Sequence, residues 1–492
     1  MSFDVIVVGA GNAAMAAALS AAEAGARVVV LEAAPLEHAG GNTRYAAGQL
    51  RTTFDGANDL SSLVPELTPE EAARCDFGTY GRADYLEDIG RLTGYRCDPD
   101  LAEAIVDNSL ATLQWMRTIG ARFQLSYRRQ SVKVGDRIRF WGGLPIELWG
   151  GGAGLVEAYH GTAAKRGIEV RHEAMAHSLV LDGRRAVGVE GWWRGEPMRV
   201  TGRSVVLACG GFEANTEKRA RYLGPGWDLA KVRGTAFNTG AGLDMAMAVG
   251  ARPHGHWTGA HGSCWDMNAP ETGDLVVGDG YQKYSYPMGI TVNLDGERFF
   301  DEGADMQSYT YSRLGKAILK QPNMVAWQVF DQRHVPLLLD EYRIRRITKV
   351  RADTIEQLAE KIEGMDRARF VETVRAFNAS VAHLDGRIDL SQKDGNSTRG
   401  LPLPKSNWAQ PLDQGPFEAY GVTTGITFTY GGLRISPDAR VLDAALQPIP
   451  GLYAAGEIVG GIFYDGYPGG TGLVSGAVFG RRAGKGAADP LQ

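Results

Sequence analysis

Asp4-Val-Ile-Val-Val8-Gly9-Ala-Gly11-Asn-Ala-Ala14 is the stretch that decides the fold. Its opening run is short, apolar and β-branched, the signature of a strand buried on both faces in a parallel sheet. A glycine turn follows at once. Ala13–Ala24 is alanine-rich and favours helix, with Gly25 placed to end it. Arg27–Leu31 reads as a second strand, closed by Glu32. Strand, G-x-G-x-x-A turn, helix and second strand form the context in which this pattern binds a dinucleotide. Gly9 permits the tight turn. Gly11 lets the backbone approach a pyrophosphate at the positive end of the helix, and Ala14 keeps the helix close to the strand. Asn12 and Ala13 belong to the same binding turn. Glu32 stands about 20 residues beyond, where an acid accepts hydrogen bonds from a ribose. The turn alone does not separate NAD from FAD.

The rest of the composition is that of an ordinary folded chain with one exception. Among 492 residues, 44% are hydrophobic and 22% charged, but 65 are glycine, roughly twice the usual share. The glycines cluster without a three-residue period, which excludes collagen. A formal charge of −5 with both signs mixed leaves no nucleic-acid footprint. No apolar run reaches the length of a membrane span, and no basic leader precedes the first strand. The four cysteines, Cys75, Cys97, Cys209 and Cys264, are too scattered for a metal site. They read as reduced thiols of a cytoplasmic protein.

Further glycine turns follow. Gly40-Gly41-Asn42-Thr43 comes soon after Glu32, with Ala46-Ala47-Gly48 behind it. Val205–Phe212 is another buried strand ending in glycines, and contains Ala208 and Gly210. Gly451–Ala455 leads into Gly456-Glu457, where the acid is placed to bind a polyol chain. Tyr467–Leu473, with Gly470 and Gly472, leads into a helix over Val474–Ala483. Turns spread from one end of the chain to the other fit one extended cofactor lying across several strand ends.

With these pieces in place the chain resembles the fumarate reductase/succinate dehydrogenase flavoprotein family over nearly its whole length. The resemblance implies an α/β architecture: a discontinuous Rossmann-like FAD-binding domain with an inserted α+β cap. The first part of the FAD domain is expected over residues 1–255, the cap over 256–425 and the second part over 426–492. It assigns Gly9–Ala14 and Glu32 to the ADP half of FAD, and Gly41–Thr43 to the region beside the flavin ring and pyrophosphate. Gly456-Glu457 goes to the ribityl chain, and Gly470–Leu473 to the electron-accepting edge of the ring. Membrane-complex members carry a histidine that bonds FAD covalently. Asn42 stands in that stretch here, so FAD is expected to be held non-covalently. In the cap, aromatics concentrate (Trp257, Trp265, Tyr281, Tyr284, Tyr286, Tyr309, Tyr311), Thr354–Ala382 reads as helix broken near Gly364, and Ser391–Lys405 reads as loop.

The substrate positions depart from the fumarate reductases. One family histidine is matched by His261. A second has become Phe428, in Phe428-Thr429-Tyr430-Gly-Gly432. The arginine that holds a carboxylate has become Tyr467, and the proton-donating arginine falls opposite Met306, Gln307 or Tyr311. A buried dicarboxylate needs paired cations to offset its desolvation. Simple fumarate or succinate chemistry is therefore not expected. The altered stretches resemble tricarballylate dehydrogenases and 3-ketosteroid dehydrogenases.

The expected activity is dehydrogenation, or the reverse reduction, of a C–C bond next to a carbonyl or carboxyl group. Tyr467 would be the carbonyl donor, Tyr311 or Tyr309 the acid/base, and His261 an aid to substrate binding. Phe428, Thr429 and Tyr430 would line the substrate. One alternative is a tricarballylate-type polycarboxylate dehydrogenase, with Arg44, Arg233 and Arg313 as spare cations and an iron–sulfur partner. Another is a flavin oxidase. The acceptor stays open among a quinone, an iron–sulfur protein and oxygen.

Overall fold

The structure, a computed structural model, describes residues 3–382 and 388–489. The opening stretch forms β1 (Phe3–Val8), α1 (Asn12–Glu23) and β2 (Val28–Leu31). Val5, Ile6 and Val7 are wholly buried, as a strand covered on both faces requires. Strands β3 (Glu169–Arg171), β6 (Glu196–Leu207) and β8 (Pro448–Ala454) complete a parallel run in the order β3-β2-β1-β6-β8. Between β3 and β6 in the chain, β4 (Ala174–Asp182) and β5 (Arg185–Trp193) form an antiparallel meander onto the first half of β6. The short β7 (Arg440–Leu442) pairs antiparallel with β8.

The register puts the chemistry on one edge. Val8 lies opposite Leu31 and Leu207, and Leu207 lies opposite Ala454. β1, β2, β6 and β8 therefore run out together. Gly9, Glu32, Ala208 and Gly456 follow at their carboxyl ends, where ligands of open α/β sheets bind.

The chain divides into two compact units. The first comprises residues 1–228, 234–261 and 427–492 and contains this sheet. Its parallel sheet, with a glycine turn after β1 leading into α1, is Rossmann-like. α3 (Thr471–Ala488) packs lengthwise on α1, and the glycines make that possible. A Cβ at Gly480 would fall 2.3 Å from the carbonyl oxygen of Ala13, and one at Gly484 would fall 2.1 Å from that of Ala17. Part of the glycine excess therefore serves helix-to-helix contact and not a cofactor.

The second unit comprises residues 229–233 and 262–426. Its strands Ile290–Asn293, Val325–Phe330 and Phe417–Leu433 pair antiparallel in that order, with Lys349–Ala352 also on the last. Two helices, Ile355–Lys361 and Arg367–Ser380, occupy the stretch read as a broken helix. Thr354 caps the first and Asp366 the second, and Gly364 between them takes a left-handed φ of 76°. Leu358, Phe370 and Phe377 from these helices bury against Ile290, Val292 and Val329 of the sheet.

Candidate active site

The dinucleotide turn is built by backbone constraint. Gly9 has φ 103°, and a Cβ there would fall 2.5 Å from the Ala208 carbonyl oxygen. The Ala208 N–H in turn donates to Val8 O at 2.9 Å, so β6 presses on the turn. α1 begins at Gly11 with no side-chain cap and no acid in its first turn. Such an end presents N–H groups and a positive dipole to an anion. Thr43 ties the second glycine segment to it: the Asn12 N–H donates to Thr43 Oγ1 at 3.0 Å. Gly40 has φ 114° and sits against Val156 of the helix α2 (Gly151–Lys165). Gly48 fits against the start of the same helix, and the Ala46 carbonyl accepts from Gly152 N–H at 2.9 Å, with Ala47 half-buried beside it.

Glu32 ends β2 almost wholly buried, and its carboxylate accepts from Ala34 N–H at 2.9 Å. Burial raises its pKa, partly countered by the backbone N–H groups of Ala34, Ala10 and Ala33. A partner hydroxyl pair, as on a ribose, suits an acid in that state.

A second uncapped helix start lies nearby. α3 begins at Gly470, with φ 81° and no acid in its first turn. The Asn12 amide donates to Leu473 O at 2.7 Å and accepts from Tyr159 O–H at 3.1 Å, so one side chain links the starts of α1 and α3 to the middle of α2. Gly472 has open space, with only the Tyr467 ring edge near a notional Cβ. Arg51, a residue the sequence reading did not single out, holds the loop before Gly470. Its buried guanidinium donates from Nε to Gly469 O at 2.9 Å and from Nη1 to Asp88 Oδ2 at 2.9 Å. Tyr80 O–H donates to the same Asp88 oxygen at 2.7 Å.

Glu457 meets an unexpected partner. Its Oε1 accepts from Thr429 N–H at 2.8 Å and from the Thr429 hydroxyl at 3.3 Å. Facing it is Glu213, wholly buried, whose Oε1 accepts from Asn42 Nδ2 at 2.7 Å and Asn238 Nδ2 at 2.6 Å. Asn42 also donates to Thr427 O and accepts from Thr235 N–H. Burial raises the pKa of both acids, and Glu213 raises that of Glu457 further. Here the glycines clear space for side chains. A Cβ at Gly210 would fall 2.4 Å from the Asn238 amide, and one at Gly211 would fall 2.2 Å from Glu457 Oε1. Glu213 follows Gly210-Gly211-Phe212 directly, so an acid behind a glycine turn was the available signal; Asn238 gave none.

An aromatic cluster forms in the same unit. The His261 ring stacks on Phe428 at 5.1 Å and meets the Tyr467 ring edge-on at 4.9 Å. Phe463 packs on Phe428 and on Tyr467, at 5.8 and 5.2 Å, and Tyr430 packs on Phe428 at 5.4 Å. His261 is wholly buried and its Nδ1 is 3.0 Å from Thr427 Oγ1. His261, Phe428, Tyr430 and Tyr467 are thus brought together. Thr429 instead turns to Glu457. Tyr309 and Tyr311 lie in the second unit, on the helix Gln307–Ile318, where Tyr311 packs edge-on against Tyr284 at 4.9 Å.

The spare cations are engaged or outward. Arg233 makes a two-pronged ion pair with Asp279, at 2.6 and 2.7 Å, within the second unit. Arg44 Nη1 donates to Ala39 O at 3.2 Å, and Arg313 is exposed.

Two uncapped helix starts, a buried acid closing β2 and an acid behind a glycine turn define a dinucleotide site of the flavoprotein kind, and these residues fit FAD. The chain belongs to the FAD binding domain family, whose model matches residues 4–474. It is an FAD-dependent oxidoreductase of the class that acts on CH–CH bonds. It is 31% identical to a probable fumarate reductase, Ifc3, of Shewanella frigidimarina (strain NCIMB 400), over 99% of this chain and 74% of that one. It is 26% identical to the 3-oxosteroid 1-dehydrogenase of Mycolicibacterium smegmatis (strain ATCC 700084 / mc(2)155), over 97% of this chain and 95% of the relative. Among solved structures, the open conformation of a flavocytochrome c3 fumarate reductase matches with a TM-score of 0.73 at 28% identity, over 99% of this chain and 78% of that one. No helix among the described residues is long and apolar enough to cross a membrane.

Proposed function

We propose that the enzyme interconverts a carbonyl compound and its α,β-unsaturated form, on a substrate that is neutral and largely apolar near the reacting bond. The observation that carries this reading is the ring cluster of His261, Phe428, Phe463 and Tyr467, standing where the fumarate-type relatives of the sequence reading place a carboxylate-gripping histidine and arginine. Rings supply dispersion and apolar contact, and a phenol supplies one directed donor. They do not repay the desolvation of two carboxylates. The commitment of Arg233 to Asp279 also speaks against a polycarboxylate.

Bound FAD supplies the hydride acceptor or donor. The chain's own groups do the rest. Tyr467 O–H donates to the substrate carbonyl and makes the adjacent C–H more acidic. Its ring is held by His261, Phe428 and Phe463, which leaves the hydroxyl direction fixed. Tyr311, or Tyr309, is the proton acceptor by resemblance to ketone dehydrogenases. The aromatic walls exclude water from a step that water would compete with. FAD is held non-covalently, because Asn42 has no nucleophilic ring nitrogen and its amide is engaged with Glu213 and Thr427. The free cysteines fit a reducing, cytoplasmic setting. The electron partner is a quinone, an iron–sulfur protein or oxygen.

The test is anaerobic. FAD-loaded enzyme is mixed with a cyclic ketone, with succinate and with tricarballylate, and flavin absorbance is followed. Bleaching by the ketone alone supports the reading; bleaching by a carboxylate alone refutes it.

A further inference from the structure

Glu213 plays no part in the chemistry above, yet it is wholly buried beside Glu457. Its Oε1 takes both amide donors, from Asn42 and Asn238. Its Oε2 is buried and meets no N–H or O–H donor among the described residues. What faces it is the Glu457 carboxyl. Asn238 Nδ2 spans the two acids, 2.6 Å from Glu213 and 3.4 Å from Glu457. A buried acceptor such as Glu213 Oε2 left without a donor is costly, and two carboxylates in contact cannot both stay charged in a low dielectric. A single proton between them removes both penalties. Three glycines independently mark the arrangement as built: side chains at Gly210, Gly211 and Gly234 would collide with Asn238, Glu457 and Asn42 respectively.

We propose that Glu213 is a positioning residue for the cofactor: it shares one proton with Glu457, and that proton fixes the Glu457 carboxyl against the polyol chain of FAD. This rests on the flavin reading of Gly456-Glu457 and adds a function for a residue outside it. Glu213, accepting from two amides, is the charged member. Glu457, held by Thr429, carries the proton. His261 is linked to Glu213 only through Thr427 and then Asn42, and Lys218 is paired with Asp244 at 2.6 Å. When the shared proton is lost at alkaline pH, the two charges repel and Glu457 swings from its station.

The experiment follows FAD release from the holoenzyme by flavin fluorescence, from about pH 7 to about pH 10. Wild type should weaken about tenfold per pH unit above the pair's second ionisation, since one proton is linked to retention. E213Q cannot form a dianion, so its FAD retention should be nearly flat over the same range. Identical pH profiles for wild type and E213Q would overturn the proposal. A second arm needs no flavin: the infrared carbonyl band of a protonated carboxyl should persist in wild type at about pH 8, and in E213Q, where burial alone is left to raise the Glu457 pKa, it should be lost at lower pH than in wild type. A band that is absent in wild type, or unchanged in E213Q, would also overturn it. Wild-type protein that never binds FAD would refute the flavin reading instead, while the infrared arm would still decide the shared proton.

Discussion

The turn at Gly9–Ala14 and the ring cluster at Phe428–Tyr467 belong to the same unit but are specified in opposite ways. The turn is dictated by backbone: a φ of 103° and a carbonyl 2.5 Å from where a Cβ would stand leave glycine alone at position 9. The cluster is dictated by side chains that arrive from three separate segments, around His261, Phe428 and Tyr467. Backbone constraint makes one region intolerant of any change and indifferent to substrate. Side-chain convergence makes the other tolerant of change for folding and, in the proposed function, decisive for chemistry.

The largest effect should come from breaking the turn. G9A puts a methyl group against the Ala208 carbonyl in a left-handed backbone, a strain plus overpacking of about 4 kcal/mol. The protein should be recovered without FAD and with a much lower Tm; holoenzyme of normal yield would show that the turn yields. Next is the support behind the Gly470 loop. D88N leaves the Arg51 guanidinium buried without its counter-charge, at a cost of about 3 kcal/mol. Urea unfolding measures it, and a loss well under 1 kcal/mol would mean that Tyr80 and Gly469 suffice for Arg51.

In the ring cluster the outcome should be reversed. Y467F retains the ring contacts with His261, Phe428 and Phe463, so Tm and FAD content stay normal. Flavin reduction by substrate should slow about 100-fold, the scale of a lost acid–base or polarising group. Stopped-flow absorbance reads it, and an unchanged rate would remove Tyr467 from the chemistry.

The smallest effect concerns the dinucleotide side at acid pH. The stacked rings of His160 and His172 both have pKa values lowered from the ordinary 6.5, mainly by burial. The unfolded chain therefore takes up protons first as pH falls through about 6.5, and the folded state loses stability there. Tm should drop by a few degrees from about pH 7 to about pH 5.5, and less so in H160N; equal drops would place the acid sensitivity elsewhere.

Most of the fold was legible for the reason the turn is robust. Strand, glycine turn and helix write their constraint into consecutive residues, and the break at Gly364 does the same. The glycine excess was misleading in part. Gly480 and Gly484 serve α1–α3 packing, and Gly210 and Gly211 make room for Asn238 and Glu457; a four-residue spacing in α3 was the signal for the first pair. Arg51 and Asn238 escaped because each acquires meaning only from a partner far along the chain, as with Arg51 and Gly469, whereas Glu213 carried a local signal in the glycine turn before it. The aromatics were visible one by one, and their convergence on His261 was not.

The central claim is that this ring cluster has replaced carboxylate recognition with recognition of a neutral carbonyl. The most direct measurement mixes the chemically reduced enzyme, without oxygen, with a cyclic enone or with fumarate, and follows the return of oxidised flavin absorbance. The account predicts rapid reoxidation by the enone and little by fumarate. Rapid reoxidation by fumarate with none by the enone would contradict it.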